Sequence, residues 1–416
     1  MAITTTSVGT RLSPALATLM LLIALNLLNY IDRYILPGEL SLIQNEFHAT
    51  REQMGALTTA MFFVYMLAAP LTGWLGDRFS RKPLIIAGAT LWSLATLSTA
   101  WVHDYWTLYF RHAIVGIGEA SFCIFAPAVI ADFYPERERN RVLSMFYVAI
   151  PVGAALGYVA GGQIGTAWGW RQPFFICAIP GLIVAVLYGI FGKEPERGAQ
   201  DHIRATRDRA TVLGLFRNPA FLTATFGLAT LTFAMGGISA WIPDFLHSPI
   251  GMSVADASSV AGASTVIDGI LGTAVGGWIA QRWLRTNHRA LYLLSFWSVA
   301  LTLPFGILLF FGPSSWAVPA LLGAEFFLFL NTGPLNTAIV NSVSAPVRAT
   351  AVSVNLFCIH FFGDTFSPQI IGAISDRSNL RIGLGATLVF LVISCVILFV
   401  GSRYAPPLSE ESPARG

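Results

Sequence analysis

In the stretch NLLNYIDRYILPG (residues 26–38), Asp32 and Arg33 stand side by side inside an otherwise apolar run. Such a pair offers two kinds of chemistry. The carboxylate can take up and release a proton as its surroundings change, and the guanidinium can grip a phosphate bidentately. Arg111, Glu119, Asp268, Glu325, His360 and Asp364 interrupt comparable runs. A charge near the centre of a bilayer costs about 2.5–3.5 kcal/mol on insertion scales, so helices carry such groups mainly where they face protein or water. The set predicts a polar interior.

Helical spacing orders these residues. Asn26, Asn29 or Tyr30, and Arg33 recur every three or four positions and form one inward stripe, while Asp32, about 100° round the helix, meets a neighbouring helix. Ser353, His360, Asp364 and Ser367 share a stripe, and so do Glu325, Thr332 and Asn336. Arg33 and Arg111 sit level near the outer ends of their helices, and Glu119 lies about 12 Å deeper than Arg111. A chain of Asp32, Arg33, Arg111 and Glu119 can be assembled from this. Protonating Asp32 or Glu119 would free Arg33 or Arg111 to bind an anion. The plainer alternative is a permanent ion pair that fixes helix packing; for His360 the plainer reading is a hydrogen-bonded helix contact.

Long helices must position these groups. The chain has 416 residues, 55% hydrophobic and 11% charged, against roughly 25% charged in soluble proteins. Apolar runs of about 17–25 residues, each able to cross a bilayer as a helix, are expected at 14–37, 52–76, 84–101, 106–132, 139–164, 171–192, 218–242, 255–281, 290–311, 316–342, 347–375 and 382–402. They lack the alternation of barrel strands, so the expected fold is all-α with twelve membrane helices. The first run carries an internal Asp-Arg and no cleavage pattern, so it reads as a retained helix. Nineteen of the 25 Lys and Arg fall on the side of the termini and four on the other, which places both termini in the cytoplasm.

The charged stretch 193–217 divides the chain into a first bundle, 1–192, and a second, 218–416. The halves echo each other: GWLGDR at 73–78 returns as GWIAQR at 277–282, and Glu119 and Glu325 lie 206 positions apart. Two parallel six-helix repeats explain both. In the loop after the second helix, Asp77 among cations could face a helix N-terminus of the other half in one conformation only, acting as a latch. The second copy has Gln281 instead, so that latch is one-sided. Gly153, Gly157, Gly161 and Gly162 suit close helix approach.

The segment GWLGDRFSRKP resembles the loop signature of the major facilitator superfamily through Gly73, Asp77, Arg78, Arg81 and Lys82; Ser80 replaces the usual Gly. RHAIVGIGEA resembles that superfamily's fourth-helix motif. More narrowly, NLLNYIDRYIL, GIGEASFCIFAPAVIADFY, GAEFFLFLNTGPLN and HFFGDTFSPQIIGAISDR together resemble the Spinster family of lipid transporters. That resemblance implies alternating access between two six-helix bundles, with the loop residues as the latch of the state closed to the cytoplasm. It also implies a role for Asp32, Arg33 and Glu119 in proton coupling, joined in our reading by Arg111, and an amphiphilic substrate such as a lysophospholipid. We expect its head group to meet Arg33, Asn29, Tyr30, Arg111, Glu325, Asn336 and Asp364, and its tail to lie against Phe125, Phe233 and Trp241.

The alternatives are a drug exporter or small organic-anion carrier of the same superfamily, and a lipid sensor that binds without transport. Gly-x-Ser-x-Gly, His-Glu-x-x-His and phosphate-loop motifs are missing from the sequence, so an enzyme is not expected. Four scattered cysteines give no metal spacing. Neither cofactor nor metal is expected, with a proton gradient as the energy source. The positive charge reads as a topology signal and not a nucleic-acid footprint. Two lysines against 23 arginines hint at a GC-rich bacterial genome, hence a bacterial inner membrane, and the chain is expected to act as a monomer.

Overall fold

The computed structural model describes residues 13–196, 214–343 and 347–407, without the side chains of Asp77, Glu136, Arg137, Asn140 and Ala349. Most of the stretch dividing the halves therefore lies outside the described residues. Twelve helical segments succeed one another: α1 Pro14–Gly38, α2 Arg51–Arg78, α3 Arg81–Thr99, α4 Tyr105–Phe133, α5 beginning at Glu136–Val159, α6 Arg171–Phe191, α7 Pro219–His247, α8 Val254–Leu284, α9 Ala290–Phe311, α10 beginning at Ala317–Leu330, α11 beginning at Arg348–Ile359, and α12 Leu380–Gly401. Among the described residues ten of these are long and apolar enough to cross a membrane. The other two are α3, which opens on Arg81 and Lys82, and α11, which is interrupted.

Local chemistry sets the starts. The Thr50 hydroxyl accepts the Gln53 N–H while the Gln53 side chain accepts the Thr50 N–H, a reciprocal cap for α2. Asp104, Asn218, Ser253 and Asn379 cap α4, α7, α8 and α12 through their side chains. The sequence misses one element, a short helix Leu40–Phe47 between α1 and α2; its eight residues cannot span a bilayer and leave no span-length signal.

Three expected straight runs are not straight. α5 passes through a π-turn at Ala160–Ile164 before ending at Gly165–Trp168. α10 breaks at Asn331, whose side-chain amide donates to the Leu328 carbonyl at 2.8 Å, and resumes as Thr332–Asn341. α11 has a π-turn at His360–Asp364 with Gly363 at φ −108°, ψ −106°, and resumes as Ser367–Arg377.

Two cores result. One joins α1, α3, α4 and α5 around Trp92, Phe122 and Phe146; the larger one occupies the second half and the seam between halves. Both described ends of the chain emerge on one face, which we term the terminal face. Cross-half contacts gather toward the opposite face: α2 packs on the last segment of α11, and the end of α5 packs on the start of α8. A Cβ on Gly55 would lie 2.3 Å from the Pro368 carbonyl oxygen, and one on Gly372 2.3 Å from that of Arg51, so glycine is what lets these backbones meet. Gly153, Gly157 and Gly161 lie in the same manner along α1.

The break in α10 rests on α8, where a Cβ at Gly276 would lie 1.8 Å from the Leu330 oxygen while one at Gly277 would meet nothing within 4 Å. Gly276→Ala should therefore destabilise by about 1–3 kcal/mol through overpacking, lowering the thermal midpoint of the detergent-solubilised protein by several degrees. Gly277→Ala should leave that midpoint unchanged or slightly raised. Equal midpoints for the two variants would refute this packing.

Candidate functional site

The inward stripe of α1 forms the floor of the site. Asn26 donates to the Phe146 carbonyl of α5 at 2.8 Å, tying α1 into its own half. One turn on, Asn29 is fully buried and its amide lacks a hydrogen-bond partner. A further turn on, the Arg33 Nε donates to Oε2 of Glu119 on α4 at 3.0 Å, and Nη2 donates to the same oxygen. Glu119 is fully buried, whereas the Arg33 side chain keeps 13% exposure, so this ion pair is dry on one side and reachable on the other.

Aromatic rings surround the guanidinium. It lies 5.0 Å from the Tyr30 ring centre, 5.3 Å from Phe62 and 5.9 Å from Tyr65, within cation–π range. The His360 ring of α11 stacks on Phe62 at 6.0 Å and meets Tyr65 edge-on at 5.5 Å. His360 Nδ1 is in turn 2.9 Å from an oxygen of Asp364. An unbroken row, Glu119, Arg33, Phe62 and Tyr65, His360, Asp364, thus crosses from one half to the other. Phe62 and Tyr65 were not among the expected site residues, while His360, expected in the polar interior, makes the hydrogen-bonded helix contact that was its plainer reading. The four-residue spacing that put His360 and Asp364 on one stripe holds through the π-turn, whereas an aromatic beside a guanidinium looks in sequence like any core aromatic.

Several expected partnerships do not form. Asp32 is not paired with Arg33: its buried carboxylate faces Trp92 and Thr96 of α3, and neither oxygen has a hydrogen-bond partner. This matches the expected shoulder position and breaks the expected chain. Arg111 makes no ion pair among the described residues, and its Nη1 is buried without a hydrogen-bond partner; Glu119, two turns deeper, is already committed to Arg33, which therefore lies level with Glu119 and not, as expected, with Arg111. In the second half Glu325 is buried and faces Ser264 and Asp268 of α8. Each of these carboxylates has one oxygen without a hydrogen-bond partner. Asn336 is exposed and donates to the Thr332 carbonyl.

The three expected tail-binding residues belong elsewhere. Phe125 is buried in the first core and lies over Gly76 of α2. Phe233 stacks on Phe390 of α12 with 3.6 Å between ring centres. Trp241 is fully buried, and its Nε1–H donates to the Pro368 carbonyl at 2.9 Å. Hydrophobicity alone does not separate an aromatic that fills a core from one that lines a cleft, and all three fill cores.

At the loop between α2 and α3 the Asp77 side chain lies outside the described residues, and Gly73 meets nothing within 4 Å of its Cβ position. Arg78 and Arg81 serve their own half. The Arg78 guanidinium lies 3.9 Å from the Trp74 ring centre, and Arg81 bonds Asp132 at 2.7 Å. Glu194, at the end of the first half, accepts the backbone N–H groups of Arg81 and Lys82 at 2.6 and 3.1 Å and the Ser80 hydroxyl. Burial pushes the Glu194 pKa up, and these donors outweigh it, so the carboxyl sits below its ordinary range.

A cross-half cap of the expected type exists on the opposite face. The Asp376 carboxylate of α11 accepts the N–H groups of Arg51 and Glu52 at 2.9 and 2.8 Å, closing the positive end of α2. Around it, the Tyr158 hydroxyl donates to the Ser239 carbonyl and the Ser258 hydroxyl to that of Gly38, both at 2.5 Å. Arg51 and Asp244 add a 3.8 Å ion pair. The halves are sealed on this face. The sequence signal for Asp376 is the Asp-Arg that ends α11, an echo of Asp77-Arg78.

Residues 22–368 match the family model of the Major Facilitator Superfamily. The chain is similar to protein spinster homolog 1 of Xenopus tropicalis, with 34% identity over 86% of this chain and 72% of the relative. It is also similar to the sphingosine-1-phosphate transporter SPNS2 of the same species, with 32% identity over 84% and 72%. In fold it is similar to a bacterial homologue of the human lysosomal transporter Spinster, with a TM-score of 0.84 and 22% identity over 95% of this chain and 98% of the other.

Removing the charge of the Asp376 cap should weaken the seal by about 1 kcal/mol, roughly fivefold in the equilibrium between closed and parted halves. With Ser258→Cys as a reporter in an otherwise cysteine-free chain, Asp376→Asn should speed labelling by an impermeant maleimide about fivefold. An unchanged labelling rate would show that the cap does not hold the face shut.

Proposed function

The chain belongs to the Spinster family of the major facilitator superfamily, and from that premise we propose that it is a proton-coupled transporter of lysophospholipid-like amphiphiles, working by alternating access. The observation that carries this reading is the Arg33–Glu119 pair, closed on the Glu119 side and open on the Arg33 side. A buried cation stripped of its partner is destabilised by about 3–5 kcal/mol, so Arg33 needs one anion at all times. A proton arriving on Glu119 ends its hold on Arg33, and a substrate phosphate then takes its place through a bidentate, charge-assisted contact. Ionisation of Glu119 reverses the exchange and expels the head group.

Tyr30, Phe62 and Tyr65 hold the guanidinium in place and offer apolar faces to the first methylenes of an acyl chain. The unpaired carboxylates of Glu325 and Asp268 suit a cationic end of a zwitterionic head group, with Asn29, Asn336 and Asp364 as further polar contacts. Arg111 lies toward the sealed face and would meet the head group after that face opens. Asp32, unpartnered beside Trp92 and Thr96, is a second proton acceptor. We take the cation-rich terminal face as the cytoplasmic side, in keeping with a bacterial inner membrane; with the opposite face sealed, the halves would part toward the cytoplasm. Gly73, Asp77, Arg78, Arg81 and Lys82 would latch the other state. The transporter acts as a monomer, and the proton gradient takes the place of a cofactor.

The test is flux in liposomes under an imposed pH gradient. Arg33→Ala should lower lysophospholipid flux roughly tenfold to hundredfold, the worth of hydrogen bonds to a charged group. Glu119→Gln should leave exchange in place but remove its response to the gradient, and Asp32→Asn should blunt that response. Gradient dependence unchanged in all three variants would end the proposal. Flux indifferent to acyl chain length would favour a small-anion carrier, and saturable binding without exchange would favour a sensor.

A further inference from the structure

Glu39 plays no part in the row described above. It follows the last residue of α1 and precedes the short helix Leu40–Phe47, where its side chain does not cap the helix. Instead it turns inward: the residue is fully buried, and neither carboxylate oxygen has a hydrogen-bond partner. A Cβ on Gly165 of α5 would lie 2.2 Å from its Oε2, so the carboxylate rests on bare backbone just past the π-turn of α5.

Among the described residues no cation stands beside it. The Cys177 thiol of α6 is the titratable neighbour, and it also feels the Asp32 carboxylate. Gln163 of the π-turn is committed to the Ala255 carbonyl and the Ser259 hydroxyl of α8. Arg171, at the start of α6, holds Glu46 and the Val102 carbonyl. From α8, Ser258 donates to Gly38, the residue next to Glu39. A lone carboxylate without donors is stable there only with a proton on it. Burial alone pushes its pKa well above the ordinary carboxylate range.

The seal is built on the same few residues. Gly38 takes the Ser258 hydroxyl, and a Cβ on Gly162 would lie 2.3 Å from the Ser258 Cβ. Withdrawal of α8 when this face opens would let water reach the end of α1 and the π-turn, and Glu39 with them. We propose that Glu39 is a proton-binding site of the opposite-face gate, occupied while the gate is shut and emptied when it opens. The sign follows from the direction of the shift. The closed state holds the proton more tightly, so closure is favoured at low pH and lost as pH rises through the raised pKa. The inference rests on alternating access in this family but not on coupling at Arg33 and Glu119.

Spin labels at Asn45→Cys and Ser378→Cys, both exposed, in a chain without its four native cysteines, report the gate by pulsed electron resonance in nanodiscs between about pH 5 and pH 9. The parent should pass from the short to the long distance as pH rises. Glu39→Gln should stay at the short distance throughout, a complete loss of the pH response, while reproducing the parent's low-pH distance as evidence that it is folded. Glu39→Asp should keep the response with a moved midpoint. A parent without pH response, a Glu39→Gln chain that responds like the parent, or a Glu39→Asp midpoint equal to the parent's overturns the proposal. A response that survives Glu39→Gln but vanishes in Glu119→Gln would place the proton at the central site and likewise overturn it. Flux failing to couple at Glu119 while Glu39→Gln flattens the gate response leaves this inference standing.

Discussion

The guanidinium of Arg33 cannot be left alone where it sits. Held between two helix bundles and bonded to a fully buried carboxylate, it needs an anion whichever face of the molecule is open, because an uncompensated charge in a dry interior is worth several kcal/mol of instability. That requirement orders the first half around it. Asn26 fixes α1 on α5, Asn29 occupies the turn before, and the rings of Tyr30, Phe62 and Tyr65 close the remaining sides. The only other half that can reach this place does so through His360, which is held toward Phe62 and Tyr65 by Asp364 and by the π-turn in α11.

The second constraint is the seal. Its strength does not come from apolar area alone, since lipid is as apolar as leucine. It comes from backbones that touch at Gly55 and Gly372, and from hydroxyls and one carboxylate that satisfy peptide groups of the other half. Contacts of this kind are all-or-none: a helix end is either capped by Asp376 or it is not. A seam built from them favours two distinct arrangements over a continuum, which is what alternating access demands.

Ten of the twelve expected spans were legible because a helix that crosses lipid must be apolar over most of its length. Arg33 and Glu119 were legible for the converse reason, since a charge in such a run is too expensive to be incidental. Even the outward turn of Asp32 from the Arg33 stripe could be read from 100° per residue. What remained hidden has physical causes. The breaks at Asn331 and Gly363 depend on side chains that bond within their own turn, and such residues look alike in straight and bent helices. Phe125, Phe233 and Trp241 have the composition of a cleft wall and the position of a core. Asp376 acts on the start of α2, more than three hundred residues away in sequence, a pairing that no local pattern announces.

A buried carboxylate oxygen without a hydrogen bond is costly in any single structure, and the described residues include several: both oxygens of Asp32 and of Glu39, and one each on Asp268 and Glu325. An apolar isostere would serve a static bundle at least as well. Glu39 lies at the sealed face, Asp32 inside the first half against α3, and the Glu325 and Asp268 pair inside the second half, none of them among the lipid-facing residues. Groups that are poorly satisfied in one arrangement and cheap in another tilt the balance between the two, and protons are the simplest ligand that can set that tilt. On the proposed cycle, the apparent waste of one state becomes a drive toward the other.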